Sequence, residues 1–341
     1  MVFALVVLVL LVISVFFNIG HALSGLVPVK VAGYQSSGPR IEEVLKEDNN
    51  SSSKIALVTL DGIITSQAID QGGYSMVDVT KAQLKRAAED DRVKAVILKV
   101  DSPGGEVLAS DEIARAIAEF QSKTRGKPVV CSMGSLAASG GYYISAPCRW
   151  IVAHELTITG SIGVILSTWN YRGLMDKVGL QPQTFKSGKY KDMLGGSRDP
   201  DSITQEEREM VQALVNETYR KFTNVVATGR ARAHDKNQTK GRALSKEWAE
   251  YADGRVLSGT EAYKLGFVDE LGTFEDAISR AKALAGITRA NLVEYEQRYD
   301  LSDFFRLFGQ TDSKVVKVDL GVEAPKLRAG QLYFLSPTFL Q

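Results

Sequence analysis

Ala95-Val96-Ile97-Leu98-Lys99-Val100-Asp101-Ser102-Pro103-Gly104-Gly105 is the stretch whose reading decides the fold. Its first six residues are apolar except Lys99, and turn residues end the run, so it reads as a strand buried inside a sheet that stops at Asp101. The two glycines then allow a tight turn with backbone N–H groups presented free of side chains, although an ordinary strand-to-helix connection would use the same residues. Beyond the turn, Ser110 is expected to cap a helix with Ile113, Ala114, Ile117 and Ala118 on one face.

The same alternation extends in both directions. Toward the N-terminus, folding starts at Lys54, where Ile55 to Leu60 is a strand run closed by Asp61-Gly62, and Thr80 to Asp90 is a short helix. Toward the C-terminus, strand runs occur at Val129 to Met133, Trp150 to Ala153 and Thr157 to Ile165. Strands alternating with helices at short spacing predict an α/β layer fold with a largely parallel sheet. Thr204 and Glu207 form a capping box for a helix reaching about Ala231, Ser258 and Glu261 form another for a helix ending at Gly266, and Thr273 opens a helix through Ala285. Phe304, Phe305, Leu307 and Phe308 suggest a short apolar helix, and Gly330 to Gln341 is an uncharged, mostly apolar tail. No internal repeat is visible.

Composition narrows the chemistry. The 341 residues are 44% hydrophobic and 24% charged, a globular balance that excludes disorder and a polytopic membrane protein. With 41 basic and 40 acidic residues the net charge is +1, so no whole-molecule field draws in nucleic acid. Cys131 and Cys148 are too few for a disulfide framework and read as buried free thiols. His21, His154 and His234 show no metal-ligand spacing, so no metal site and no cofactor is expected. A Ser-His-Asp triad would have to recruit His154 or His234, which leaves lysine or a carboxylate as the better proton carrier.

The N-terminus carries the localisation signal. Met1 to Phe17 holds no charge, and the apolar run continues to Leu23, about the length of a membrane span. No Lys or Arg precedes Lys30 and no good cleavage site follows, which favours an uncleaved anchor over residues 1–23 and leaves its orientation open. Residues 24–53 end in Glu47-Asp48-Asn49-Asn50-Ser51-Ser52-Ser53 and read as a polar tether.

Two more loops complete the candidate chemistry. Ser139, among small residues directly after a strand and followed by Gly140-Gly141, has the setting of an exposed nucleophile, related to but not matching the G-x-S-x-G elbow because Ala137 replaces the first glycine. Lys186, Lys189 and Lys191 are three lysines in six positions, by themselves the signature of a solvated loop. A lysine acting as base must be neutral, so its pKa near 10.4 must fall by about 3, roughly 4 kcal/mol. Thr159-Gly160-Ser161-Ile162-Gly163 offers Ser161 as a hydroxyl partner for such an amine.

Taken together, Asp101 to Gly105, Ala137 to Tyr143, Thr159 to Val164, Lys186-Ser187-Gly188 with Lys191-Asp192, and Ala252 to Val256 with Leu265 to Asp269 resemble the signal peptide peptidase A family, the membrane-anchored serine peptidases of class S49. The resemblance covers about residues 54–285, with all five motifs in order. It implies a Clp protease/crotonase-like fold with repeated ββα units, preceded by the transmembrane helix. Ser139 is then the nucleophile, Lys191 the general base, Ser161 the residue that orients it, and the N–H groups of Gly105 and Gly140 the oxyanion hole. It further implies hydrophobic peptide substrates such as cleaved signal peptides, a peptidase domain on the extracytoplasmic side of the cell membrane, and a homo-oligomer, an octameric ring with the dyad shared between adjacent subunits. The organisation expected is therefore an anchor (1–23), a tether (24–53), a peptidase domain (54–285) and an extension (286–341), whose tail around Leu332 to Ser336 could enter an active site and be trimmed. The competing expectations are a related membrane peptidase acting on a stomatin-like protein and a crotonase-like acyl-CoA enzyme.

Overall fold

A computed structural model describes residues 38–68, 73–124, 126–238, 240–297 and 333–335. The expected anchor, residues 24–37 and the apolar helix expected near Phe304 lie outside them, and among the described residues no helix is long and apolar enough to cross a membrane. The strands are β1 (Ile41–Glu47), β2 (Lys54–Asp61), β3 (Val93–Ser102), β4 (Gly104–Glu106), β5 (Val129–Ala138), β6 (Trp150–Ala153), β7 (Ile158–Gly160), β8 (Val256–Ser258), β9 (Glu270–Leu271), β10 (Asn291–Gln297) and β11 (Tyr333–Leu335). The helices are α1 (Met76–Glu89), α2 (Val107–Lys123), α3 (Gly140–Ser145), α4 (Arg172–Lys177), α5 (Gln205–Lys236), α6 (Gly259–Leu265) and α7 (Phe274–Ala285).

Among the described residues nine strands share one sheet, with β1-β10-β2-β3-β5-β6-β9 side by side and β7 and β8 branching from β5. The pairs from β10 through β9 are parallel, as is β5 with β7, while β1 with β10 and β7 with β8 are antiparallel. The apolar runs of β2 and β3 are continuous because both faces are covered. Ala56, Val58 and Leu60 join Val96, Leu98 and Val100 under α1, α2 and α3, and Ile55, Leu57, Ala95 and Ile97 pack under Ala277 and Ala281 of α7. Since β2, β3, β5 and β7 run in one direction, their carboxyl ends deliver the Asp61, Ser102, Ser139 and Ser161 loops to the same end of the sheet.

The mixed α/β fold with a parallel-rich sheet agrees with the sequence, and several boundaries move. Residues 41–47, assigned to the tether with the polar run that follows them, form β1, an edge strand on which Ile41, Glu43 and Val44 are half-buried and the other positions are exposed. Residues 291–297, assigned to the extension, form β10, inserted between β1 and β2. The folded body thus begins before Lys54 and continues past Ala285. Ser110 does not cap α2: the helix starts at Val107 with Glu106 at the N-cap, and the Ser110 hydroxyl donates to the Glu106 carbonyl at 2.8 Å. The helix read from Thr80 starts at Met76 behind a Ser75–Asp78 capping box. The expected strand from Thr157 to Ile165 is regular only over β7, and α5 continues beyond Ala231 to Lys236. The capping boxes at Thr204, Ser258 and Thr273 are present.

An ion pair fixes the far half of α5. Arg230 and Asp269 are fully buried partners; Arg230 also donates to the carbonyls of Ala146 and Cys148, and Asp269 accepts from the N–H groups of Ile151 and Arg242. This ties α5 to the end of α3 and to β6. Cys131 and Cys148 are buried free thiols, and burial pushes the Cys148 thiol up.

Candidate active site

Ser139 follows β5 in a backbone conformation rare for a residue with a side chain, φ 54° and ψ −116°. Such strain costs on the order of 1–3 kcal/mol and persists only when the surroundings enforce it. Here the Ser139 N–H donates to the Gly160 carbonyl at 2.8 Å and its carbonyl accepts from Tyr143 N at 2.8 Å. Behind it, Tyr142 and Tyr143 are buried, with their hydroxyls donating to the Phe267 carbonyl and to Asp111. Burial and the Asp111 carboxylate hold the Tyr143 hydroxyl well above the ordinary phenol range.

Three glycines let the backbone next to Ser139 pack closely on its neighbours. A Cβ on Gly140 would lie 2.8 Å from the Ser110 hydroxyl and 3.0 Å from both Gly104 Cα and Gly105 N, so the peptides at Gly105 and Gly140 are in direct contact. A Cβ on Gly105 would collide with the Ile64 carbonyl, and one on Gly141 would lie 2.7 Å from the Ser102 carbonyl. Strand β4 is bridged to Ile64 on one edge, where Ile64 N donates to Gly104 O and Glu106 N to Ile64 O, both within 2.9 Å. Successive peptide groups in a strand alternate direction, so the N–H and C=O of Gly105 point to the opposite edge, free of Ile64.

That edge is occupied by β11. Tyr333, Phe334 and Leu335 stand opposite Glu106, Gly105 and Gly104 in antiparallel register. On its other side, Tyr333 exchanges N–H···O contacts of 3.3 Å with Ile165, so the backbone of Phe334 faces Gly105. An extended chain segment is therefore held between β4 and Ile165, with the Tyr333 side chain buried.

Ser161 lies beside Ser139 because β5 and β7 pair in parallel with Ala138 opposite Gly160. It too has positive φ, 49°, and its N–H donates to the Arg255 carbonyl at 2.7 Å. The turn at Gly254 packs against Gly163, which gives the Asp253–Arg255 segment its place: it braces the Ser161 loop. Neither Ser139 nor Ser161 has a side-chain hydrogen bond among the described residues.

Ser139, Ser161, Gly105 and Gly140 are thus brought together, whereas Lys191 is not joined to them. It sits in a turn between α4 and α5, exposed, with its N–H on the Gly188 carbonyl, and its ammonium makes no hydrogen bond or ion pair among the described residues. Its neighbours differ. Lys186 pairs with Asp192 at 2.7 Å and Lys189 with Glu206 at 2.8 Å, which raises the pKa of Lys189. The segment around Lys191 carries exposed apolar side chains, among them Trp169 at 83%, Phe185 at 95%, Leu174 and Val178.

The sequence reading missed two elements. One is the Thr65-Ser66 hydroxyl pair, which binds the Glu106 carboxylate. The other is Ile64, whose backbone completes β4. Neither had a signal in the sequence: Glu106 takes the N-cap position only because the structure starts α2 at Val107 and not at Ser110.

An α/β body with a strained serine beside two closely packed glycine peptides, and an extended chain laid across one of them, has the features of a peptidase. Residues 121–288 match the model of Peptidase family S49. A protein provisionally named as a protease in Methanocaldococcus jannaschii is 41% identical over 252 residues, 74% of this chain and 72% of that one. A provisionally named signal peptide peptidase A of Enterococcus faecium is 39% identical over 267 residues, 77% of this chain and 72% of that one. A solved structure, a serine-to-alanine mutant of a membrane-bound stomatin-specific protease, aligns over 73% of this chain with a TM-score of 0.41 and 16% identity. The chain belongs to peptidase family S49.

Proposed function

We propose that this protein is a membrane-anchored serine endopeptidase of hydrophobic peptides, with Ser139 as nucleophile, Lys191 as general base and Ser161 orienting the lysine. The observation that carries the reading is the strained Ser139, whose hydroxyl has no hydrogen-bond partner among the described residues, beside the Gly105 and Gly140 peptides, with β11 seated across Gly105 as an extended peptide would be. Neutral Lys191 Nζ takes the Ser139 proton as Oγ attacks the substrate carbonyl, and the oxyanion is held by the N–H groups of Gly105 and Gly140. The lysine ammonium then protonates the leaving amine as the peptide bond breaks. Neutral again, it takes a proton from water, whose oxygen attacks the acyl group and releases Ser139 with its proton restored.

Lys191 is supplied by an adjacent copy in a ring-shaped homo-oligomer. Two features support this: the exposed apolar side chains along its segment, and a Lys191 ammonium without a carboxylate partner among the described residues, unlike Lys186 and Lys189. Apolar residues seated in the groove and a relative named for signal peptides favour remnant signal peptides as substrates. The apolar run at residues 1–23 would hold the enzyme at the cell membrane with the peptidase domain outside the cytoplasm.

The experiment is cleavage of quenched fluorescent apolar peptides by Ser139→Ala and Lys191→Ala, alone and mixed. Each single variant is expected to be inactive and the mixture active. Wild-type rates in either single variant would overturn the assignment; an inactive mixture of correctly assembled variants would overturn the sharing of the dyad.

A further inference from the structure

Glu106 ends β4 and stands at the N-cap of α2, yet its carboxylate does not cap that helix. It turns instead to the segment after Ile64, accepting from Ser66 N at 2.9 Å, from the Ser66 hydroxyl at 2.5 Å and from the Thr65 hydroxyl at 3.0 Å. The residue is buried, and these donors hold its pKa below the ordinary carboxylate value against the opposing effect of burial.

Location gives this clamp its meaning. Strand β4 is three residues long, lies off the main sheet, and without an occupant in the groove is paired only on the Ile64 edge. Two backbone hydrogen bonds to Ile64 and the carboxylate bonds to the next two residues therefore hold this edge of β4, alongside the Gly104 N–H on the Ser102 hydroxyl and the Ser110 hydroxyl on the Glu106 carbonyl, and so set the direction of the Gly105 N–H. The chain segment 64–66 and β4 are far apart in sequence, so no local turn enforces their alignment.

We propose that Glu106 is a positioning residue, which through Thr65 and Ser66 locks β4 so that the Gly105 N–H is already aimed at the developing oxyanion. This rests on the peptidase reading above. Preorganised donors lower the barrier because no reorganisation is needed as charge develops, and a misplaced donor is lost mainly from the transition state.

The test is kcat and KM for apolar peptides, with thermal stability, in the full chain carrying Glu106→Gln, Ser66→Ala and both together, and with Ser139→Ala as the inactive reference. Glutamine keeps the shape but loses the negative charge and one of the two acceptor oxygens, so it cannot accept from Thr65 and Ser66 on both arms as the carboxylate does, and Ser66→Ala removes one hydroxyl while leaving the carboxylate and the Thr65 hydroxyl in place. Each single variant is expected to lower kcat about tenfold to a hundredfold with KM within about twofold. The double variant is expected to lose little more than the worse single, because both break the same clamp. Wild-type kcat in both single variants, or losses that appear only in KM or only in stability, would overturn the inference while leaving the peptidase reading standing. A wild-type chain with no Ser139-dependent cleavage would overturn the peptidase reading and this inference with it.

Discussion

Replacing Gly140 by alanine tests the proposed oxyanion site most directly, since the space a methyl group would need is already filled. The new Cβ would stand 3.0 Å from Gly104 Cα and Gly105 N and 2.8 Å from Ser110 Oγ. Carbon atoms in contact prefer about 3.5–4.0 Å, so the surroundings must give by about 0.5–1 Å. Neither neighbour yields easily: the Ser110 hydroxyl is held by the Glu106 carbonyl, and Gly104 and Glu106 are bonded to Ile64. The strain is relieved by separating the start of α3 from β4, which widens the gap between the two N–H groups. Loss of one oxyanion donor costs about a hundredfold to a thousandfold in kcat, and a displacement near 1 Å about a hundredfold. The expectation for Gly140→Ala is thus a kcat about a hundredfold lower, near 2.7 kcal/mol, with KM changed by less than about threefold. Overpacking would cost a further 1–3 kcal/mol or so in stability. Steady-state cleavage of quenched apolar peptides, paired with urea denaturation, measures both. A folded Gly140→Ala enzyme with kcat within about threefold of wild type would refute the argument that these two peptides form the anion site.

Other perturbations have equally definite outcomes. Arg230→Met leaves the Asp269 carboxylate buried without its cation and should destabilise the chain by about 3–5 kcal/mol, while adding Asp269→Leu should recover much of that loss; strictly additive urea midpoints would contradict it. The Glu207 carboxyl is held down to about 2 by the Arg198 guanidinium and the Thr204 N–H. A depressed carboxylate contributes stability that is complete above its ordinary pKa of about 4.5 and is lost as pH falls toward 2, so the difference in stability between wild type and Glu207→Gln should shrink between pH 5 and pH 2. A pH-independent difference would be the contrary result. Deleting residues 331–341 frees the groove edge that β11 covers; KM for short peptides should fall by the factor by which the open fraction rises, with kcat unchanged. An unchanged KM would show that β11 does not compete for the groove.

The parts of the fold visible in the sequence were those whose signal is local. Strands β2, β3, β5 and β6 are buried on both faces and stand out as apolar runs, and Thr204-x-x-Glu207 announces a helix start through its own side chains. Strands β1 and β10 did not stand out: Ile-Glu-Glu-Val-Leu-Lys-Glu and Asn-Leu-Val-Glu-Tyr-Glu-Gln carry three glutamates and two respectively, and they become strands because each finds a partner about 250 residues away. The serine and glycine loops of the site were legible only as a set, since each alone is compatible with an ordinary strand-to-helix turn and the family resemblance rests on all the motifs in order. The Glu106 clamp was not, since a carboxylate and two hydroxyls about 40 positions apart show no pattern until the chain folds. Lys191 was singled out among the three lysines by the family resemblance alone, since the loop by itself reads as solvated; the structure adds that Lys186 and Lys189 have carboxylate partners.

The place of β10 has a consequence for synthesis. Strand β2 has β3 on one side within about 40 residues, but its other edge stays open until Asn291 and its neighbours arrive. At about 5–20 residues per second, the stretch between Lys54 and Asn291 takes roughly 12–50 s to translate. For that time the nascent chain exposes an apolar strand edge, a template for wrong pairing, next to a sheet otherwise ready to close. The ribosome therefore delivers the sealing strand late, and a chain cut short before residue 291 is expected to aggregate rather than to persist as a smaller peptidase.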